Sequence, residues 1–522
     1  MTSATAPATR SAARLSHVAR SSLLIAVFFG LDKILGLVRQ VIIGRQFGVG
    51  PELDVFNAAN NLPDLLFALI SGGALAVAFI PVLSEAMEIE GRDALWAVFS
   101  RVANLAFLIT GGLALLLAVF AGNVVGAQFG VAPGFSPEMQ ALVIQLMRLD
   151  LIATLIFSLS GLVSAGLQSN QHFLLPALAP ALYDVGQIFG AVVLAPQAGY
   201  QVGGFQLPAA GLGIHGLVYG VILGAAMHLG IQIPGLLRYR FKWSARLGLQ
   251  HPGVRKVARL MGPRILTIGT FQLIFVVQDN LASRLNVGSV TSLAYGWLIM
   301  QVPETIIGTA VGIAILPTLA EHFARGDDAG FAGSVARAFR VLIALTAPAA
   351  ALLMLAIRPL VQVAFHFSAQ GTELVVWAAR AYLLGLVGQC LLEVASRAFY
   401  ARQDARTPLF ASLANLTAFI TVSLLLFRPL GPMGIALANT LAFSLEAGIL
   451  IFFLARMFPG VMSLASSWIR LGLGSAFSIG LAYLVLTRLP APDYLAALAA
   501  LAAGALLLIP FVRPELRELA RL

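Results

Sequence analysis

This chain has a single cysteine, Cys390, among 522 residues. One thiol excludes disulfides within the chain and metal clusters built on several thiolates. Charge is scarce too: Asp, Glu, Lys and Arg make up 11% of the residues, against roughly 25% in a soluble domain. HExxH, GxSxG and Walker A strings are missing, and the one GxGxxG string, Gly211 to Gly216, lies inside an apolar run rather than a βαβ context, which leaves metalloprotease, hydrolase, ATPase and dinucleotide chemistry without support. The seven histidines form no catalytic set. His17, His172, His251, His322 and His366 fall near the ends of apolar runs, and His215 and His228 lie thirteen residues apart on one run. An enzyme is therefore the weaker class, although a membrane-embedded transferase using scattered Asp, Glu and Arg stays open. No cofactor and no metal are expected.

What the chain has in excess is apolar residues, at 59%. Runs of about 20 residues, each enough to cross a bilayer, recur from end to end. Fourteen are read, at about 22–45, 55–84, 98–122, 140–167, 174–196, 208–236, 258–284, 289–319, 335–365, 374–398, 407–427, 431–455, 465–487 and 492–512, with 289–319 open to splitting. Lipid tolerates no open sheet edge, so the spans should be helices.

The chain also repeats itself. Gln171-His172-Phe173-Leu174-Leu175-Pro176 returns 232 positions later as Gln403-Asp404-Ala405-Arg406-Thr407-Pro408. Ala78 to Glu85 returns after 236 positions as Ala314 to Glu321, matching at the Ala, Pro, Leu and Glu positions. Gly216 to Gly230 pairs with Gly434 to Gly448 at an offset of 218. Duplication in apolar segments is the usual architecture of secondary transporters. Six spans per copy is an even number, so the copies should share one orientation. The expectation is an all-α polytopic membrane protein of about 14 helices: two six-helix bundles related by a pseudo-two-fold along the membrane normal, plus two extra C-terminal helices. The expected divisions are a tail at 1–21, bundles at 22–237 and 258–456, a basic connection at 238–257, and an appendage at 457–522. Pro63 and Pro303 interrupt equivalent helices, as do Pro81 and Pro317. Each removes a backbone donor and kinks its helix, so these four are the hinge candidates, with kinks needed only for packing as the alternative.

The net charge of +10 invites a nucleic-acid reading, and its placement argues against one. Arg238, Arg240, Lys242, Arg246, Arg255, Lys256 and Arg259 crowd the connection after span six, whereas residues 123–139, 197–207 and 364–375 contain no Lys or Arg. Basic and neutral loops alternate, and the positive-inside rule then puts both termini in the cytoplasm. Topology and contact with anionic membrane lipids account for the basic residues. The Ala/Ser/Arg-rich first twenty residues run into a full-length span and read as a cytoplasmic tail rather than a cleaved leader.

Ionisable groups inside spans are expensive and face a cavity or a partner. Span one carries Asp32, Lys33, Arg39 and Arg45, spiralling around the helix in steps of six residues from Lys33. Asp54 and Asp64 bracket the start of span two, and Asp54 is a plausible ion partner for Arg39 or Arg45. Arg148, Asp150, Asp184, Arg264, Asp279, Arg284, Glu304, Arg380, Glu393, Arg397 and Glu446 complete the set, most of them read as structural ion pairs. Arg39 and Arg264 stand out, because unpaired arginines deep in a cleft suit a phosphate with bidentate geometry.

The stretch Ile34-Leu35-Gly36-Leu37-Val38-Arg39, with Phe47-Gly48, Asp54-Val55-Phe56, Asn61-Leu62-Pro63-Asp64-Leu65-Leu66 and Ala78-Phe79-Ile80-Pro81, resembles the start of the MurJ (MviN) family. So do Gly308 to Pro317, and Phe399-Tyr400-Ala401-Arg402-Gln403-Asp404 with Thr407-Pro408. The resemblance implies the MOP exporter fold and the flipping of lipid II, an undecaprenyl-pyrophosphate-linked peptidoglycan precursor, across the bacterial inner membrane. It implies that spans 13 and 14 form a groove for the lipid tail. Arg39 matches a functional cavity arginine, Asp54 a functional aspartate and Arg45 a basic position of the motif. The chain departs from the pattern at Lys33, Gln40, Phe67, Ala68, Leu298 and Gln301, and the polar positions of a sodium site on span eleven fall on Phe419 and Ser423. The implied cavity is less charged than the family's usual one.

The expected function is a lipid II flippase working by alternating access, with a polyprenyl-pyrophosphate-linked glycan as substrate. Lys33, Arg39 and Arg264 would hold its head group, and Asp54 would neutralise the site when the head group leaves. Arg45, Asp64 and Gln301 would support the site. One rival is an exporter of another lipid-linked oligosaccharide or an amphipathic small molecule. A rival of another class is a transport-dead scaffold for cell-wall synthesis enzymes.

Overall fold

The computed structural model describes residue 28 and residues 30–70, 73–461 and 468–519. The expected tail at 1–21 lies outside the described residues. Helix α1 covers 30–47, followed by α2 (Pro51–Ile70), α3 (Gly73–Ile89), α4 (Arg92–Val119), α5 (Ala121–Gly126), α6 (Pro137–Ser169) and α7 (Leu174–Phe189). The last runs into a π-helical turn at Gly190–Leu194. After a hairpin of two residues per strand, Gln201–Val202 against Phe205–Gln206, come α8 (Ile214–Gly230) and α9 (Ile233–Arg238). Then follow α10 (Pro252–Ala282), α11 (Ser289–Pro303), a second π turn at Glu304–Thr309, α12 (Ala310–Ala324), α13 (Asp328–Phe365), α14 (Ala369–Leu384) and α15 (Leu386–Ala401). The chain closes with α16 (Arg406–Leu430), α17 (Pro432–Met457), α18 (Trp468–Arg488) and α19 (Asp493–Leu519).

Among the described residues, eleven helices are long and apolar enough to cross a membrane, or twelve if the pair α14 and α15, bent by 45°, is one span. The expected span at 22–45 begins outside the described residues, and the one at 55–84 is carried by α2 and α3. The run at 289–319 is continuous through its π turn and counts as one span, Ser289–Ala324. Pro303 has no N–H to give the preceding turn, and the π turn starts at the next residue. The bend within span ten falls on Gly385, where an added Cβ would lie 2.7 Å from Thr440 Oγ1. The Thr440 hydroxyl donates to the Ala381 carbonyl at 2.7 Å, satisfying an acceptor near the break.

The described chain separates into two compact units. One holds residues up to Gln46, Ala59–Val125 and Gln140–Gly269; the other holds Phe47–Ala58, Gly126–Met139 and Thr270–Leu522. The sequence repeat is visible in each unit as the same local backbone. Helix α6 ends with Gln171 at φ 60°, His172 N–H on Leu167 O at 2.9 Å and Gln171 N–H on Gln168 O at 2.9 Å. Helix α15 ends with Gln403 at φ 60°, Asp404 N–H on Phe399 O at 3.0 Å and Gln403 N–H on Tyr400 O at 2.9 Å. This is one Schellman closure made twice, with Gln in the left-handed position that usually favours Gly. The third echo repeats a helix start: Gly213 before α8 has φ 55° and ψ −138°, and Gly431 before α17 has φ 58° and ψ −143°. A side chain is strained there, so both copies use glycine.

In the first unit, α7 and its π turn lie against α8 backbone to backbone. A Cβ on Gly190 would sit 2.6 Å from the Gly220 Cα, and one on Gly224 would sit 2.6 Å from the Tyr183 carbonyl oxygen. Small residues spaced along both helices are what permit so close an approach in a membrane. The basic connection is tied to α4 within the same unit. Trp96 Nε1 donates to Tyr239 O at 3.0 Å, Asn104 Nδ2 to Ser244 O at 2.7 Å, and Trp243 Nε1 to Asn104 Oδ1 at 2.8 Å. In the second unit, α19 and α18 pack on α13, with Arg340 paired to Glu518 at 3.4 Å and Arg470 to the buried Glu515.

Candidate functional site

Glycine contacts fix α7, and α7 presents Tyr183 and Asp184 inside the first unit. From α1, Arg39 reaches Asp184, with Nη1 to Oδ1 at 2.8 Å. The two side chains are 17% and 5% exposed, so the pair is largely out of solvent. The Arg39 guanidinium also lies 5.5 Å from the centre of the Tyr183 ring, a cation–π distance. Its Nε is buried and has no hydrogen-bond partner among the described residues. One turn before Arg39, Gly36 faces the same carboxylate, a Cβ there falling 3.5 Å from Asp184 Oδ2.

Tyr183 lines a cavity of about 330 Å³ within this unit, together with Asn60, Asp64, Asp150, Phe157 and His228. Phe157 packs edge-on against Tyr183 at 4.8 Å and against His228 at 5.4 Å. His228 is fixed by Ser160 Oγ at 2.6 Å from Nδ1, and Gln232 Nε2 donates to the same hydroxyl at 2.7 Å. Asp150 is buried at 5% exposure. The arrangement is one arginine in contact with Asp184 beside a pocket that carries Asp150 and Asp64, the latter within reach of the Arg39 charge.

Residues 43–509 match the family model described as "Lipid II flippase MurJ". The chain belongs to the MurJ lipid II flippase family. It is 30% identical over 461 residues to the lipid II flippase MurJ of Burkholderia cenocepacia, covering 86% of both chains. A probable lipid II flippase MurJ of Vibrio cholerae is 26% identical, with 83% of this chain and 82% of the relative covered. Among solved structures, a lipid II flippase MurJ in an inward closed conformation superposes with a TM-score of 0.78 at 21% identity, over 95% of this chain and 100% of that one. An inward-facing MATE-family multidrug transporter of the MOP superfamily gives a TM-score of 0.68 at 13% identity, over 85% and 100%. The fold is thus the all-α polytopic one expected. Membership in the MurJ family makes the chain a multi-pass membrane protein of a transporter family.

The expected site residues are dispersed. Arg39 is paired, contrary to the expectation of an unpaired arginine, because α7 brings Asp184 onto it. Asp54 is not its partner. Asp54 is 1% exposed in the second unit, where its carboxylate accepts from Gly288 N at 2.5 Å, Thr291 N at 2.7 Å and Thr291 Oγ1 at 2.7 Å. It therefore caps the start of α11, occupying donors that a helix N-terminus leaves free. Lys33 is 58% exposed on α1, with Asp32 at 3.5 Å. Arg45 is exposed on α1, and Asp64 lines the cavity. Arg264 lies on α10 with its side chain outside the described residues. Gln301 is exposed on α11 in the second unit. Pro63, Pro81, Pro303 and Pro317 all sit within helices.

Sequence reasoning named Asp184 and Asp150 only as members of a structural set and gave Tyr183 no role. A signal for Asp184 was present. Carried forward from the echo at 171–176, the 232-residue offset puts the uncharged Leu416 opposite Asp184.

Proposed function

We propose that the chain moves lipid II from the cytoplasmic to the periplasmic leaflet of the bacterial inner membrane by alternating access. Family membership over residues 43–509 carries this reading, and Arg39 gives it a place in the chain. A guanidinium whose buried Nε has no partner among the described residues is suited to a phosphate, which can take two of its donors at once. Lys33 and Arg264 are the further head-group cations. The bundles 22–237 and 258–456 are the moving parts, with the four prolines as bending points. The helices of 457–522 hold the polyprenyl tail in the surrounding lipid, and cell-wall synthesis enzymes are its partners in the membrane.

Complementation of a strain depleted of its own lipid II flippase tests the reading. Restored growth is the expected outcome. Failure to restore growth at normal protein levels would leave a scaffold or another exporter. One observation favours a second reading: the cavity carries Asp64 and Asp150, and acid-lined walls suit a cationic amphiphile better than an anionic head group.

Both termini are placed in the cytoplasm. A reporter fused near residue 246 should then behave as cytoplasmic and one near residue 200 as periplasmic, following the basic character of the first loop and the lack of Lys and Arg in 197–207. The opposite pattern would reverse the direction of transport.

A further inference from the structure

We infer that Asp184 is a resident counter-anion, which holds the Arg39 guanidinium when no substrate is bound and yields it to a phosphate of the lipid-linked substrate. The inference rests on the head-group reading of Arg39 given above. Four observations lead to it.

The ion pair is incomplete on the arginine side. Asp184 Oδ1 meets Nη1 at 2.8 Å, while Nε on the same guanidinium is buried with no acceptor among the described residues. Guanidinium presents a planar fork, and a carboxylate seated to satisfy it would engage two nitrogens. Asp184 as seated leaves one edge unused, and a buried N–H without an acceptor is unfavourable. A phosphate group has enough oxygens to take both edges.

The carboxylate is set on a backbone that cannot easily follow. Asp184 lies in the same turn of α7 as Tyr183, whose carbonyl meets Gly224, and Gly186, which also meets α8, while its own carboxylate turns to Gly36 and Arg39 of α1. When an anion binds Arg39, the arginine side chain is thus the partner free to re-aim, and Asp184 stays in place.

There is open volume beside the pair. Tyr183, over whose ring the guanidinium lies at 5.5 Å, is also a wall of the cavity of about 330 Å³.

The charge is specific to one copy of the repeat. Carried forward from the echo at 171–176, the 232-residue offset puts Leu416 of α16 opposite Asp184, so a helix at this place in the repeat forms without that carboxylate.

The exchange has a physical rationale. A bare guanidinium inside a span is costly, and removing one member of a buried pair strands the other. A resident carboxylate keeps Arg39 neutralised through the empty half of a transport cycle. It also competes with the substrate, which moderates affinity and permits release.

Binding of inorganic pyrophosphate to the full chain in lipid nanodiscs, measured by calorimetry, tests this. Asp184→Asn keeps the size of the side chain and removes its charge. It is expected to bind pyrophosphate about tenfold or more tightly than the unsubstituted chain, the scale of one charge-assisted hydrogen bond. Arg39→Ala is expected to lose binding with either residue at 184. Equal or weaker binding by a folded Asp184→Asn protein would overturn the inference and make Asp184 a fixed structural partner. A second measurement needs no substitution: nitrogen and carboxyl magnetic resonance of the labelled chain, titrated with pyrophosphate. The Arg39 Nε and Asp184 carboxyl signals should shift together, and an unmoved Asp184 signal at saturation would also overturn it. If the unsubstituted chain binds no pyrophosphate, or Arg39→Ala binds it equally well, the head-group reading itself fails and the inference with it.

Discussion

Arg39→Ala is expected to abolish growth in a strain that depends on this chain for lipid II flipping, while the protein still accumulates in the membrane. The substitution removes the guanidinium and leaves Asp184, at 5% exposure, without its cation. A charged hydrogen bond to a buried partner contributes roughly 1.5–3 kcal/mol, enough to lower substrate affinity tenfold or more. Arg39→Lys should fall between the two, since an ammonium keeps the charge but cannot present a planar fork. The double change Arg39→Ala with Asp184→Ala separates binding from structure. With both charges gone neither member of the pair is stranded, so recovery of growth would assign the pair to folding. Continued failure at normal protein levels is the expected result. Immunoblots of the membrane fraction alongside growth curves are sufficient to decide.

Asp54→Ala is expected to have an equally large effect for a different reason. Three donors converge on this carboxylate: the Gly288 and Thr291 backbone N–H groups and the Thr291 hydroxyl. Alanine would strand all three at a buried helix start, at about 1–3 kcal/mol for each unsatisfied group. Against a total stability of about 5–15 kcal/mol for an ordinary domain, that predicts loss of most folded protein and a lower melting temperature. Asp54→Asn should be milder, because its amide oxygen still accepts while its NH₂ faces donors. Normal accumulation of Asp54→Ala together with loss of transport would instead place Asp54 in the substrate path.

Much of the architecture was legible because its causes are local. Apolar runs long enough for a bilayer became helices. The repeat around Gln171 and Gln403 turned out to encode one helix ending made twice, and the glycines at 213 and 431 encode one helix beginning made twice. Family resemblance over the first hundred residues rested on the same kind of local motif. The bend at Gly385 was not legible, because it depends on Thr440, a residue of α17 far along the chain. The partners of Arg39 and Asp54 were misjudged for a related reason. Proximity in sequence favoured joining them to each other, yet the packing of α1 beside α7 gives Arg39 to Asp184. Asp54 is taken instead by backbone groups more than 230 residues away. Spacing along a helix states which face a charge occupies; it does not state which helix that face meets.

Translocation of lipid II by the purified chain is the most direct test. Proteoliposomes would carry fluorescent lipid II in both leaflets, and an impermeant agent added outside would destroy the label it can reach. With the unsubstituted chain, nearly all of the label should become reachable, whereas with Arg39→Ala or empty liposomes only about the outer half should be lost. Protection of the inner half by the unsubstituted, folded chain would contradict the assignment of lipid II as its substrate.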